Sequence, residues 1–247
     1  MTTATGMTSL EDRVRAALGT VRDPELDESI TDLDFVASVT VGDVGDVGSG
    51  ATVGGGGEVV VELRLPTYFC APNFAYLMVA DAHDAVSAVA GVGPVTIRLL
   101  DHFASDEINA GVAGGRGFSG SFPGLADDEL HELRVTFQRK AHQACQERVA
   151  SRVVRSGRPL EDLAGLTLGD AAPGPELDRL RRRRADLGLP ADDAAPLLLG
   201  PDGTPVTAPD LVTQLRLAKT TRISIEGNAG LCRGLLGVRY GLGRETG

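Results

Sequence analysis

Glu58-Val59-Val60-Val61-Glu62-Leu63-Arg64-Leu65-Pro66-Thr67-Tyr68-Phe69-Cys70-Ala71-Pro72 decides how the first half of the chain folds. Val59, Val61, Leu63 and Leu65 fall on one side of an extended chain, and Val60, Glu62 and Arg64 on the other. That alternation predicts a strand with one buried face. Pro66 and the turn after it stop the strand. Asn73–Ala90 then predicts a helix with Phe74, Leu77, Met78, Val86 and Val89 inward, closed by Gly91, Gly93 and Pro94. Cys70 is thereby placed between a strand and a helix N-terminus. Unpaired N–H groups and the positive end of the helix dipole favour a thiolate at such a position.

Reading outward from this stretch, Phe35–Val41 alternates in the same way and predicts an earlier strand. Gly42–Gly57 contains eight glycines in sixteen residues and reads as a flexible loop joining the two. Leu10–Leu18 predicts a short helix with Leu10, Val14, Ala17 and Leu18 on its apolar stripe and Ser9 as its N-cap. Val95–Leu100 predicts a third strand, ending at Asp101-His102-Phe103. The fold class expected is α/β (α+β): a small α-β-β-α-β domain over residues 1–104. The helix between the second and third strands permits a right-handed crossover and parallel pairing.

Beyond residue 104 the texture changes. Residues 105–125 are glycine-rich and are expected to form a linker. A mainly helical region is expected over 126–247. In it, Asp127–Val154 carries the stripe Leu130, Leu133, Phe137, Ala141, Cys145, Val149 and Val153. Pro175–Leu187 reads as a second helix, with Arg181–Arg184 as a solvated face or an acidic-partner docking patch. A small hairpin is expected around Asp202-Gly203, a helix over Asp210–Ala218, a strand over Thr221–Ile225 and a glycine-rich helix over Asn228–Tyr240.

Composition narrows the function classes. The 247 residues are 42% hydrophobic and 23% charged, the mix of a globular protein. Aromatics are scarce and Trp is absent, so Val, Leu, Ile and Ala must build the core. A net charge of −10 disfavours nucleic acid or an anionic membrane as partner. No run of 18 apolar residues predicts a membrane span, and residues 1–9 have no apolar signal core, so a cytoplasmic location is expected. The three cysteines, Cys70, Cys145 and Cys232, include no CxxC pair. Their odd number and wide spacing argue against a disulfide framework, and the missing pair excludes a self-contained zinc ribbon or a one-chain four-cysteine cluster site.

Four groups of residues could carry chemistry. Thr67-x-x-Cys70-x-Pro72 offers a thiolate, the ligand iron prefers, or else a structural cysteine. Asp23-Pro24-Glu25 places two carboxylates on a turn fixed by proline, or is merely a solvated turn. His102 lies at the carboxyl end of a strand, where open α/β sheets place ligands, and could be a second metal ligand or a structural histidine. Glu226–Gly234 reads as a strand entering a glycine-rich helix, with Cys232 as a further soft ligand; Gly230, Gly234, Gly237 and Gly241 share one face, which equally suits close helix packing. It lacks the Gly-Lys-Ser/Thr of a phosphate loop. Cys145 lies on an apolar stripe and reads as core. His131 and His142 share a face of one helix but stand about 16 Å apart along it, too far to bind one metal together.

Val21-Arg22-Asp23-Pro24-Glu25-Leu26 with Ser29-Ile30 and Leu33, the strand into Thr67-x-x-Cys70-x-Pro72, and Gly91-Val92 to Val95 together resemble the PaaD/SufT-like iron–sulfur cluster assembly domain. The resemblance spans about Leu10–Asp101. It implies a factor that assembles, transfers or inserts an iron–sulfur cluster or other metal centre. Asp23, Pro24, Glu25 and Cys70 are then the functional marks, with Thr67 beside them. The cargo would be iron or a cluster held transiently, and the partner a client metalloprotein. One thiolate cannot hold a cluster alone, so a homodimer, or His102 and Cys232 beside Cys70, would supply the missing ligands. The chain departs from the family pattern at Ala71, where many members have a Cys-Pro dipeptide, in the glycine insertion after Val41, and in its long C-terminal extension. The alternatives are a non-catalytic adaptor or chaperone for a metalloenzyme, and a cysteine-dependent enzyme with Cys70 as nucleophile and His102 as base.

Overall fold

The computed structural model describes residues 9–42, 56–124 and 129–242. These form two compact units. The first comprises Met1–Pro24, Glu28–Leu130 and Ala229–Gly247; the second comprises Glu25–Asp27 and His131–Asn228.

In the first unit, α1 (Leu10–Leu18) starts at a capping box: Ser9 Oγ accepts from the Asp12 N–H at 3.0 Å, and the Ser9 N–H donates to Asp12 Oδ2 at 3.1 Å. Val14 and Leu18 are fully buried. Strands β1 (Val36–Val41), β2 (Gly57–Leu63) and β3 (Val92–Leu99) form one sheet in the order β1-β2-β3. β1 and β2 pair antiparallel, and β2 and β3 pair parallel, joined through α2 (Pro72–Ser87) as the crossover. Val39, Val61 and Ile97 stand abreast across the sheet and are buried. Val59, Val61, Leu63 and Leu65 are buried as the period of two predicts, while Glu58 is exposed. α2 opens with Pro72 in its first turn, where a missing N–H costs nothing, and buries Leu77, Met78, Val79, Ala82 and Val86. The backbones of Gly56 and Gly93 pass so close that a Cβ on Gly93 would lie 2.5 Å from the Gly56 carbonyl oxygen. The α-β-β-α-β order is the one expected. Most of the glycine-rich loop, residues 43–55, lies outside the described residues.

Residues 105–125, expected as a linker, carry two helices, α3 (Ser105–Ala113) and α4 (Gly117–Ser121). Ile108 of α3 is fully buried. Asn109 holds α3 to the end of β3: its Oδ1 accepts from the Leu99 N–H at 2.8 Å and its Nδ2 donates to the Leu99 carbonyl at 3.2 Å. A glycine-rich composition therefore did not prevent order here, because one buried isoleucine and one paired amide anchor the segment.

The second unit is built from α5 (Glu129–Arg155), α6 (Pro175–Asp186) and α7 (Leu211–Tyr240), which continues into the first unit. Cys145, Val149, Val153, Leu163, Leu168, Leu180 and Leu197 form its core. Cys145 is buried as expected, and burial pushes its thiol up to about 11. The hairpin around Asp202-Gly203 is present, with Leu199 bridged antiparallel to Pro205.

Two expectations fail in this unit. The strand over Thr221–Ile225 is helix, part of the unbroken α7. β-Branched Thr221, Ile223 and Ile225 favour a strand locally, but Leu211, Ala218 and Ile225 are buried at intervals of seven, a helical period. Nor is Arg181–Arg184 a solvated face. Arg183 pairs with buried Asp27 at 2.7 Å, and Arg184 is wholly buried. Its guanidinium donates to the carbonyls of Pro190, Pro196 and Leu197, and to Gln146 Oε1. Arg184 thus serves as a peg for the loop that follows α6.

Candidate functional site

β2 and β3 run parallel, so their carboxyl ends lie side by side, and the chain leaving each makes a corner there. The two corners are stitched together through the backbone. The Leu100 N–H donates to the Leu63 carbonyl at 2.8 Å, and the Phe103 N–H to the Tyr68 carbonyl at 3.2 Å. Thr67, Cys70 and His102 meet at this place. Thr67 Oγ1 lies 3.3 Å from Cys70 Sγ and accepts from the Phe69 N–H at 3.2 Å. Cys70 is half-buried, two residues ahead of the first residue of α2.

His102 is buried, and both of its ring nitrogens are engaged. Nδ1 accepts from the Ala104 N–H at 3.2 Å, which leaves the ring proton on Nε2 to be donated to the Cys70 carbonyl at 2.7 Å. The ring is held neutral: burial lowers its pKa, the bond to Cys70 opposes that shift, and the charge of Arg239 adds to the lowering. Ser105 locks the backbone of the same residue, its hydroxyl accepting from the His102 N–H at 3.1 Å and donating to the His102 carbonyl at 2.8 Å. His102 therefore fixes the main chain under the thiol and points its proton away from the sulfur.

Two features of this corner lay outside the sequence reading. The last turn of α7 clamps it: Arg239 donates to the carbonyls of Leu65 at 3.1 Å and Asp101 at 2.6 Å, and the Tyr240 hydroxyl donates to Asp101 Oδ2 at 3.2 Å. Asp101 sits at φ 49°, a left-handed conformation that turns the chain out of β3. Three aromatic rings also stand exposed around the cysteine. Phe69 is 79% exposed, Phe103 48% and Tyr68 47%. Their centroids lie 5.1 to 6.4 Å apart. Arg239 gives no signal in the sequence, being one basic residue in a last helical turn. The aromatics do give one: the chain has only seven Phe and three Tyr, and three of these ten flank Cys70 and His102.

The remaining candidates are placed as follows. Asp23 is buried on a tight turn after α1, where its N–H donates to the Glu28 carbonyl at 2.9 Å and the Ile30 N–H returns to the Val21 carbonyl at 3.0 Å. Glu25, two residues on, accepts from Asn228 Nδ2 at 3.2 Å. Cys232 is half-buried deep within α7, not at a helix start, because no strand precedes it. It lies three residues from Ala229 and four from Leu236, both buried, so it shares their face of the helix. Among the described residues no three His, Cys, Asp or Glu side chains converge as a metal site, so Cys70, His102 and Cys232 are not gathered into one.

The first unit is thus a small α+β arrangement whose parallel-strand corner presents a half-buried thiol. Residues 11–97 match the model of a family described as iron–sulfur cluster assembly protein. The match runs from α1 into β3 and leaves α3 to α7 outside it. The chain has no significant match among curated proteins or solved structures. Among the described residues no helix is long and apolar enough to cross a membrane.

Proposed function

We propose that this protein carries iron or an iron–sulfur cluster to a client metalloprotein, with Cys70 as the thiol that takes hold of the cargo. The match of residues 11–97 to the iron–sulfur cluster assembly family supports a general role in cluster assembly. The observation that carries the finer reading is the corner itself: a half-exposed sulfur, a hydroxyl 3.3 Å from it, and a main chain pinned from beneath by His102. The Thr67 O–H can turn toward a metal-bound sulfur and stabilise its charge, as outer partners of metal ligands do. A cluster takes about four protein ligands, so one Cys70 leaves most of the coordination to other chains. Such a site gives up its cargo readily, which suits a carrier. The remaining ligands come from the client or from a second copy of this chain. The exposed ring patch of Tyr68, Phe69 and Phe103 is the surface on which the client docks, beside the cargo it receives. The cytoplasm is the compartment proposed for this exchange.

The nucleophile reading has less support. His102 aims its proton at the Cys70 carbonyl instead of taking one from the thiol, so it is not placed as a general base.

The test is transfer. Protein loaded anaerobically with iron and sulfide is mixed with an apo-ferredoxin, and the holo-ferredoxin formed is measured by circular dichroism in the visible range. Wild type and Cys145→Ser are expected to transfer, and Cys70→Ser to fail. Equal transfer by Cys70→Ser would leave only the adaptor reading.

A further inference from the structure

The second unit has a half-open groove of about 740 Å³, formed by α5, the turn at residues 160–165 that follows it and the first half of α7. Its floor is apolar: Ala150, Val154, Leu160, Leu163, Val212 and Leu215. Two of these, Leu160 at 40% and Val212 at 44%, are left exposed to water. Ligand pockets typically measure about 300–1,000 Å³ and combine an apolar lining with a few polar groups.

The charges around this floor sort into two sets. Five cationic side chains and three carboxylates line the groove. Each carboxylate has a partner: Glu147 with Arg222, Glu226 with Arg148 and Arg222, and Glu176 with Arg152. Among the described residues, Arg155, Arg216 and Lys219 have no carboxylate partner. Arg216 and Lys219 lie three residues apart on α7, the next two lining positions after Val212 and Leu215. A stripe running from apolar to cationic along one helix face thus borders the groove. In a chain of net charge −10, this is a local excess of positive charge over an uncovered apolar floor.

We propose that this groove binds an amphipathic organic acid, with its hydrocarbon body on the floor at Val154, Leu160, Val212 and Leu215 and its carboxylate between Arg216 and Lys219. The apolar body recovers the area that Leu160 and Val212 leave in water, and the carboxylate completes the charge balance of the rim. The groove belongs to the second unit and its proposal does not depend on the cargo reading.

Decanoate, below its micellar concentration, is the probe, with decanol and decyltrimethylammonium as neutral and cationic counterparts. Isothermal titration of the full chain is expected to give one saturable site for decanoate. Decanol should bind about tenfold more weakly or worse, and decyltrimethylammonium not at all. Arg216→Glu/Lys219→Glu, two exposed positions with no packing role, should remove decanoate binding while circular dichroism and iron loading stay unchanged. Val212→Asp should do the same from the apolar side. The proposal is overturned if decanoate gives no saturable heat, if the cationic amphiphile binds equally, or if both variants keep wild-type affinity. Binding of an acidic amphipathic peptide in place of decanoate would also overturn it and assign the groove to a protein partner.

Discussion

His102 acts through the carbonyl of the residue whose side chain matters, and its contribution can be measured apart from any cluster. His102→Ala leaves the Cys70 carbonyl without its donor. It should cost about 1–3 kcal/mol of stability in urea unfolding, with His102→Gln recovering part of the loss. A second buried histidine sets the acid sensitivity of the other unit. Burial lowers His142 to about 4, helped by the charge of Arg184. The unfolded chain takes up that proton near pH 6.5 and the folded one does not. Stability is therefore full above pH 6.5, falls as the pH drops, and levels off near pH 4. The loss from this residue is about 3 kcal/mol. His142→Phe should flatten that part of a stability profile measured by denaturant titration at stepped pH. Of the three thiols, Cys70 and Cys232 are half-buried and Cys145 is sealed. A maleimide probe with mass-spectrometric mapping should label the first two on the native protein and reach Cys145 only after unfolding.

At the scale of elements, period was legible and partnership was not. The strands around Val59–Leu65 and Val39 could be read because one buried face imposes strict alternation. α7 differs from the expected strand because β-branched residues dominate a five-residue window, whereas the seven-residue spacing of Leu211, Ala218 and Ile225 shows only over a longer one. The arginine run of α6 departs from a solvated face for another reason. Charge alone says surface, and only a neighbouring loop with unpaired carbonyls can draw Arg184 inside. Arg184→Leu should therefore destabilise the protein by about 3–5 kcal/mol, because it strands several buried carbonyls at once, and a thermal melt by circular dichroism would register it. Thr67 and Cys70 were legible from their spacing and His102 from its strand end. The clamp by Arg239 was not, since more than a hundred residues separate it from the corner it holds.

For the whole molecule, the segment that matches the cluster-assembly family belongs to one compact unit, and a helical unit that the match does not reach makes up much of the rest. The aromatic ring patch and the apolar groove lie in different units, so a variant at one should leave the other's binding unchanged. The central claim concerns one sulfur. Anaerobic titration with ferrous iron and sulfide, followed by visible thiolate-to-iron charge-transfer absorption, tests it most directly. Wild type and Cys145→Ser should develop the bands, and Cys70→Ser should not. Bands of equal intensity in Cys70→Ser would contradict the account.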